Sequence, residues 1–173
     1  MVHQGSTCNN RDVDIEAQVR QTLSGSDHEV IDCDPELADT AAFCAHYGYP
    51  EDQSANTIVV ASRRPPGEFA ACVVLATTRL DVNNRVRKLM GVRKASFAPA
   101  DVTADLTGML IGGVTPFALP PNLPIYIDAR IMDLDWVIVG GGSRSLKLKV
   151  PPDTLATLPS AEVVADLATP AST

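Results

Sequence analysis

The stretch NTIVVASRRPPGEFAACVVLAT, residues 56–77, decides the fold. Two apolar runs, rich in the β-branched residues that suit a pleated surface, flank RRPPGE, whose Pro-Pro-Gly interrupts any regular element and turns the chain. Both runs are nearly continuous in their hydrophobicity rather than alternating, the pattern of strands covered on both faces. The stretch therefore reads as a β-hairpin at the centre of a sheet, and the rest of the chain must supply the layers that cover it.

Upstream, residues 12–23 place Val13, Ala17, Val19 and Leu23 at helical spacing and stop at Ser24-Gly25-Ser26, which predicts a helix. HEVIDCD supplies a short strand. Pro35 then opens a second helix over residues 36–47, with Leu37, Ala41, Phe43 and Cys44 inward and Gly48 as its stop. Downstream, Asp81 caps a helix that runs to Met90 and ends at Gly91. KASFA is a short strand, Pro99 starts a helix over residues 100–106, and PIYIDA, WVIVGGG and SLKLKV are three further strands. Pro151-Pro152-Asp153 begins a last short helix, EVVADLA closes the fold as strand or helix, and TPAST, residues 169–173, is expected to fray. The expectation is one α/β domain of mixed α+β elements in layers, spanning residues 1–173, which is a length that suits a single core.

No run reaches the roughly 18 apolar residues of a membrane span, and MVHQGSTCNNRD lacks the pattern of a secretory signal, so the chain reads as cytoplasmic with no membrane partner. Cys8, Cys33, Cys44 and Cys72 are far apart, with no Cys-x-x-Cys, and read as reduced thiols packed in the core. The net charge of −7 argues against a nucleic-acid partner until its distribution is examined. Residues 12–52 carry eleven acids against Arg20, whereas residues 79–94 carry Arg79, Arg85, Arg87, Lys88, Arg93 and Lys94 against Asp81. Such polarisation fits either a solvated helix face or a docking surface for a polyanion.

The usual catalytic constellations are missing. His3, His28 and His46 all fall in the first third of the chain, away from every glycine-rich turn, which disfavours a His-based triad. No His, Cys or Asp spacing suggests a zinc site, and GGGSR at residues 140–144 lacks the P-loop pattern, so neither metal nor cofactor is expected. What remains is glycine backbone: Gly112-Gly113 before Thr115-Pro116, and Gly140-Gly141-Gly142 after WVIV. Exposed main-chain N–H groups can hold a developing oxyanion, and glycine lets a substrate approach them closely. The plainer alternative is a pair of tight turns. Asp128 reads as a cap for the turn at Ala129-Arg130 or as a group shaping the pocket. Thr115 and Ser143 read as exposed turn residues able to orient a water, and Trp136 as core or rim packing.

The succession AACVVLATTRLDVNNRVRKLMGVRKASFAPADVTADLTGMLIGGVTPF, then IYIDA, then VGGGSRSLKLKVPPDTL resembles the YbaK/ProX family, free-standing relatives of the editing domain inserted in bacterial prolyl-tRNA synthetases. The likeness extends over residues 27–168. It implies a mixed, partly barrel-like sheet flanked by helices. It also implies hydrolysis of the ester between a wrong, small amino acid and the 3′ end of tRNA, with a synthetase as a further partner. By resemblance, Asn56, Gly112 and Gly113 fall at catalytic positions. Thr107, Gly108, Thr115, Pro116, Asp128, Gly140, Gly141, Gly142, Ser143 and Arg144 fall at substrate-binding positions. Arg79, Arg85, Arg87, Lys88 and Lys147 are the expected tRNA contacts, with Lys149 beside them. An aminoacyl ester is already activated, so positioning and a few N–H donors suffice without a covalent intermediate.

The sequence departs from the family at Asn56, where relatives usually carry a lysine at the start of the central strand. A neutral amide makes a contact of roughly half the strength of a charge-assisted one. A tyrosine that some members place on the first strand is replaced near Asp32 and Cys33, and Lys147 stands where some relatives have an acid. A non-catalytic module that binds an aminoacyl end or a protein partner is the alternative from a different class. Hydrolysis of another small acyl ester or amide is a third.

Overall fold

A computed structural model describes residues 10–171, with side chains from residue 14 onward. The quoted stretch forms the expected hairpin: β2 (Ala55–Arg64) and β3 (Pro66–Leu75) pair antiparallel, from Ala55 opposite Leu75 to Ala61 opposite Phe69. With β5 (Lys94–Phe97), β6 (Ile125–Asp128) and β9 (Ala161–Val164) they build a five-stranded sheet in the order β5-β2-β3-β6-β9. β2 runs antiparallel to β3 and β5, whereas β6 and β9 add in parallel, so the sheet is mixed.

The alternation along β3 shows why its hydrophobicity is continuous. Ala71, Val73 and Leu75 enter one core cluster while Ala70, Cys72 and Val74 enter another, so both faces are covered. The first cluster is closed by α1 (Asn10–Thr22), through Val19, by Leu23 just after it, and by a second sheet. That sheet orders β1 (Glu29–Asp32), β8 (Leu146–Val150) and β7 (Val137–Gly140) antiparallel. The second cluster is closed by Val82 and Val86 of a π-helical turn (Val82–Val86), by Val92, and by Leu167. The fold is the mixed α/β arrangement expected, but the partly barrel-like sheet is not found. The two larger sheets pack on one core but are joined as β structure only by a bridge between Ser54 and Ile138, and among the described residues no ladder closes around that core.

Other differences are local. The helix expected over residues 36–47 divides, because the Asp34 carboxylate accepts from the Glu36 N–H and caps a separate 3-10 turn, Pro35–Leu37. α2 (Thr40–Tyr47) then starts after Asp39 and stops at Gly48 in the left-handed region. Ala41, read as inward, is exposed, as is Ala17 of the first apolar repeat, while Phe43 and Cys44 are buried as expected. Cys8 and His3 lie outside what the structure describes, as does the side chain of Val13. Asp81 caps as expected, accepting from the Asn84 N–H, and α3 (Arg87–Met90) follows the π-helical turn to Gly91. The tail does not fray from Thr169: β10 (Ala168–Pro170) pairs antiparallel with β4 (Thr78–Leu80), anchored by the fully buried Leu167. Cys33, Cys44 and Cys72 are buried free thiols; burial pushes Cys72 up to about 12 and raises Cys33 as well.

Candidate active site

The loop after α4 (Ala100–Thr107) carries Gly112 to Pro116, and the end of β7 carries Gly140 to Gly142. These segments meet. The Gly142 N–H donates to the Gly113 carbonyl at 2.8 Å. A methyl group at Gly140 would sit 2.2 Å from the Val114 carbonyl oxygen, and one at Gly113 would sit 2.5 Å from the Ser143 carbonyl carbon. Two backbones at this separation leave no room for a Cβ, so glycine is required for protein to approach protein. Gly113 is consumed by this contact, Gly141 is packed against Leu146, and Gly142 lies against Ile15 and Val19 of α1; all three are buried. Among the described glycines, Gly112 and Gly140 alone reach the adjoining cleft.

That cleft has a volume of about 320 Å³ and lies between the start of α2, the first half of β2, the Gly112 loop and β7. Phe43, Val59, Val114, Ile138 and Val139 give it apolar walls. Its polar groups are mostly donors. The Asn56 Oδ1 accepts from the Thr40 hydroxyl at 2.5 Å, which leaves the two amide hydrogens without a partner among the described residues. The Thr57 hydroxyl is buried in the wall and has no hydrogen-bond partner among the described residues. Buried polar atoms are nearly always paired, so an orphan in a cleft wall marks a place where a bound group can complete the set.

Lys147 forms the floor. Only 5% exposed, it donates from Nζ to the carbonyls of Ala38 at 2.6 Å and Gly112 at 2.8 Å, with Nζ 5.7 Å from the centroid of the Phe43 ring. Two of its three N–H donors are occupied, leaving one for the cleft. Burial lowers its pKa from the usual lysine value; nearby Cys33 opposes that shift and Arg144 adds to it. Arg144 works from the other side of the loop, donating to the carbonyls of Pro35 at 2.9 Å and Ile111 at 2.6 Å and pairing with Asp39 at 3.4 Å. The two cations thus clamp the Gly112 loop against the turn before α2. The N–H groups of Gly112 and Val114 find no partner elsewhere in the described chain.

The expected site residues therefore separate. Asn56, Gly112, Gly140 and Lys147 line one cleft. Lys147 is corrected from a surface phosphate contact to a buried floor, because its stem lies inside the second sheet and its ammonium is held by main-chain carbonyls. Arg144 likewise is engaged with carbonyls rather than free for a phosphate. Asp128 does not shape the cleft. Buried at 1% exposure, it accepts from the N–H groups of Arg130 and Ala168 and pairs with the Arg130 guanidinium at 3.0 Å, stapling β10 to β6. Thr115 and Ser143, expected on exposed turns, are buried; the Ser143 hydroxyl donates to Glu16 and the Thr115 side chain faces the Phe117 N–H. Thr107 bonds the Thr103 carbonyl and caps the Met109 N–H, Gly108 ends α4 at φ +72°, and Pro116 is buried. These position the loop from behind.

Of the expected tRNA contacts, Arg85 and Arg87 donate to the carbonyls of Ala165 and Asn83, whereas Arg79 and Lys88 are exposed. Lys149 pairs with Glu29 at 3.9 Å and lies over the Trp136 ring at 4.4 Å. Neither His28 nor His46 reaches the cleft. Sequence reasoning missed Thr40, Thr57 and Asp39. The only available signal was that Asp39-Thr40 could start a helix, which the Pro35 stop-and-start obscured.

With this geometry in view, the comparisons with known proteins are consistent. The profile of the aminoacyl-tRNA editing domain matches residues 34–158, and the chain belongs to that family. A protein of Bacillus subtilis strain 168, the uncharacterized YwhH, is 27% identical over 124 residues, covering 67% of this chain and 78% of its own. Among solved structures, the hypothetical protein APE2540 superposes with a TM-score of 0.78 at 27% identity, covering 87% of this chain and 99% of its own. A protein proposed to be a trans-editing enzyme for prolyl tRNA synthetase shares the fold, with a TM-score of 0.77 at 20% identity over 94% of this chain and 98% of its own. The family membership supports a role in tRNA editing.

Proposed function

We propose that the chain is a trans-acting aminoacyl-tRNA deacylase that removes a small, wrongly attached amino acid from the 3′ end of tRNA, working as one editing unit without a cofactor. The observation that carries this reading is a small apolar cleft lined by Asn56, Lys147, Gly112 and Val114, in which the Asn56 amide hydrogens, one Lys147 N–H and the main-chain N–H groups of Gly112 and Val114 have no partner among the described residues. Water attacks the ester carbonyl carbon, the bond to the ribose oxygen breaks, and the proton from water passes to that oxygen. A free amino acid and a tRNA with an intact terminal hydroxyl result. The N–H groups of Gly112 and Val114 stabilise the developing oxyanion, a kind of contribution worth about 3–4 kcal/mol per donor in other enzymes. Asn56 and the third N–H of Lys147 hold the ribose side.

The apolar walls set specificity by exclusion. A cleft of about 320 Å³ that must also take a terminal ribose admits only a small side chain. Steric rejection is what an editing site can add to a synthetase, since one methylene of attraction is worth only about 1–3 kcal/mol. An aminoacyl-tRNA synthetase is a natural partner, because the mischarged product leaves its surface. The test is incubation of the purified protein with a panel of mischarged tRNAs. Release of a small amino acid is expected, and absence of release from every member of the panel overturns the reading. Binding of an acylated end without release would instead favour the non-catalytic module, for which the neutral Asn56 speaks.

A further inference from the structure

The structure gathers four cations that the sequence scatters. Arg64 at the end of β2 lies directly opposite Lys94 of β5, the Arg93 N–H donates to the Arg64 carbonyl, and Arg63 precedes them at the hairpin turn. All four are exposed, and none makes an ion pair among the described residues. Like charges facing each other across a ladder repel, so this end of the sheet is held at a cost that a bound polyanion would relieve. From there β5, an edge strand of the sheet, leads back toward the cleft. Its middle residues border a second hollow of about 580 Å³, lined among others by Arg79, Asn83, Asn84, Ser96, Phe97 and Thr169. Phe97 is 55% exposed there, a large aromatic face turned to solvent. The next residue, Ala98, lines the first cleft.

The geometry points to a binding track for single-stranded RNA along β5: its 3′-terminal ribose in the first cleft, a preceding base stacked on Phe97 beside Arg79, and its phosphates at Arg63, Arg64, Arg93 and Lys94. The inference rests on the deacylase reading for the identity of the terminal ribose, and on the β5 surface for everything else. From Ala98 to Lys94 the strand advances about 13 Å at ~3.3 Å per residue. At ~3.4 Å per stacked nucleotide this spans about four nucleotides. Aromatic stacking and a cationic groove are the two elements that sequence-tolerant single-strand binding requires.

The track is tested with the full chain and a fluorescent eight-nucleotide single-stranded RNA with a free 3′-hydroxyl, read by polarisation across a salt series. Replacing Arg63, Arg64, Arg93 and Lys94 together by serine is expected to weaken binding tenfold or more and to lower the slope of log affinity against log salt by about 3, at ~0.7 per phosphate contact. Phe97→Ala is expected to weaken binding about tenfold with the slope unchanged, in keeping with the loss of one stacked base. The thermal midpoint of Phe97→Ala should equal the wild type, and that of the serine variant should be no lower, since it removes the repulsion between Arg64 and Lys94. No binding of the RNA by wild type, unchanged binding in both variants, or equal competition by a poly-aspartate peptide would overturn the track. If deacylation proceeds with KM unaltered in both variants, the track fails and the deacylase reading stands. If no mischarged tRNA is hydrolysed while RNA binding and its loss in the variants persist, the deacylase reading fails and the track stands.

Discussion

Lys147 and Lys94 are both strand lysines, and a count of charges treats them alike. Lys147 stands near the start of β8, buried, with its ammonium on the carbonyls of Ala38 and Gly112. Lys94 stands at the start of β5, exposed, opposite another cation. The first is part of the architecture of the cleft, and its charge is largely neutralised by peptide dipoles. The second is left to the solvent and to whatever anion arrives. A basic residue thus declares its role by what its hydrogens already hold, and Arg144 and Arg79 divide along the same line.

The contrast can be broken most forcefully where β7 packs on the loop that the inward cations hold. Gly140→Ala places a methyl group 2.2 Å from the Val114 carbonyl oxygen, where neither chain can give way. A loss of about 3 kcal/mol or more is expected in denaturant unfolding, because the strain falls on main chain rather than on a flexible side chain. Lys147→Met comes next. It strips the hydrogen bonds from two buried carbonyls and is expected to cost about 2–3 kcal/mol. Deacylation should fall at least tenfold as the Gly112 loop loosens. Arg63→Ser or Arg64→Ser should by contrast change stability by no more than about 0.5 kcal/mol. Equal destabilisation by Lys147→Met and Arg64→Ser would abolish the distinction.

Asn56→Lys sharpens the comparison from the cleft side by adding a second ammonium close to the substrate. Deacylation of a mischarged tRNA is expected to rise about tenfold, the ~1–2 kcal/mol by which a charge-assisted contact exceeds a neutral one. An unchanged rate would show that Lys147 already provides the charge required. The smallest effect is on pH dependence. Burial lowers the Lys147 pKa from 10.5, so the burial penalty is fully present while both states are protonated. As pH rises from the folded pKa toward 10.5, the unfolded chain binds more protons than the folded one, and stability gains with pH across that window. The gain, measured as wild type minus Lys147→Met, should be positive; a negative difference would contradict the placement of the ammonium in a dry floor.

Most of the element order was legible because it depends on local signals. The hairpin at residues 56–77, the caps at Asp81 and Gly48, and the proline starts at Pro99 and Pro151 act within a few residues of themselves. The helix over residues 36–47 was misjudged for a local reason too, since Asp34 and Asp39 can each begin a turn and the apolar pattern runs through both. The site was legible only in outline. The two glycine segments were recognisable, but Gly113, Gly141 and Gly142 face protein rather than substrate, and no one-dimensional pattern separates those uses. Asp128 was ambiguous for the same reason, because the partner that fixes its role, the Ala168 N–H, lies forty residues away.

By itself the sequence determined that two apolar strands must be covered on both faces, that the chain carries polarised charge, and that glycine backbone stands where side-chain catalysts are missing. Those follow from composition and short-range periodicity, which act along the chain. Tertiary structure alone decided which glycines line the cleft, that Lys147 points inward while Lys94 points out, and that Arg63 and Arg64 join Arg93 and Lys94 at one end of the sheet. Each of these depends on which distant carbonyl or strand a residue meets, and hydrogen bonding and burial are fixed only when the two sheets pack.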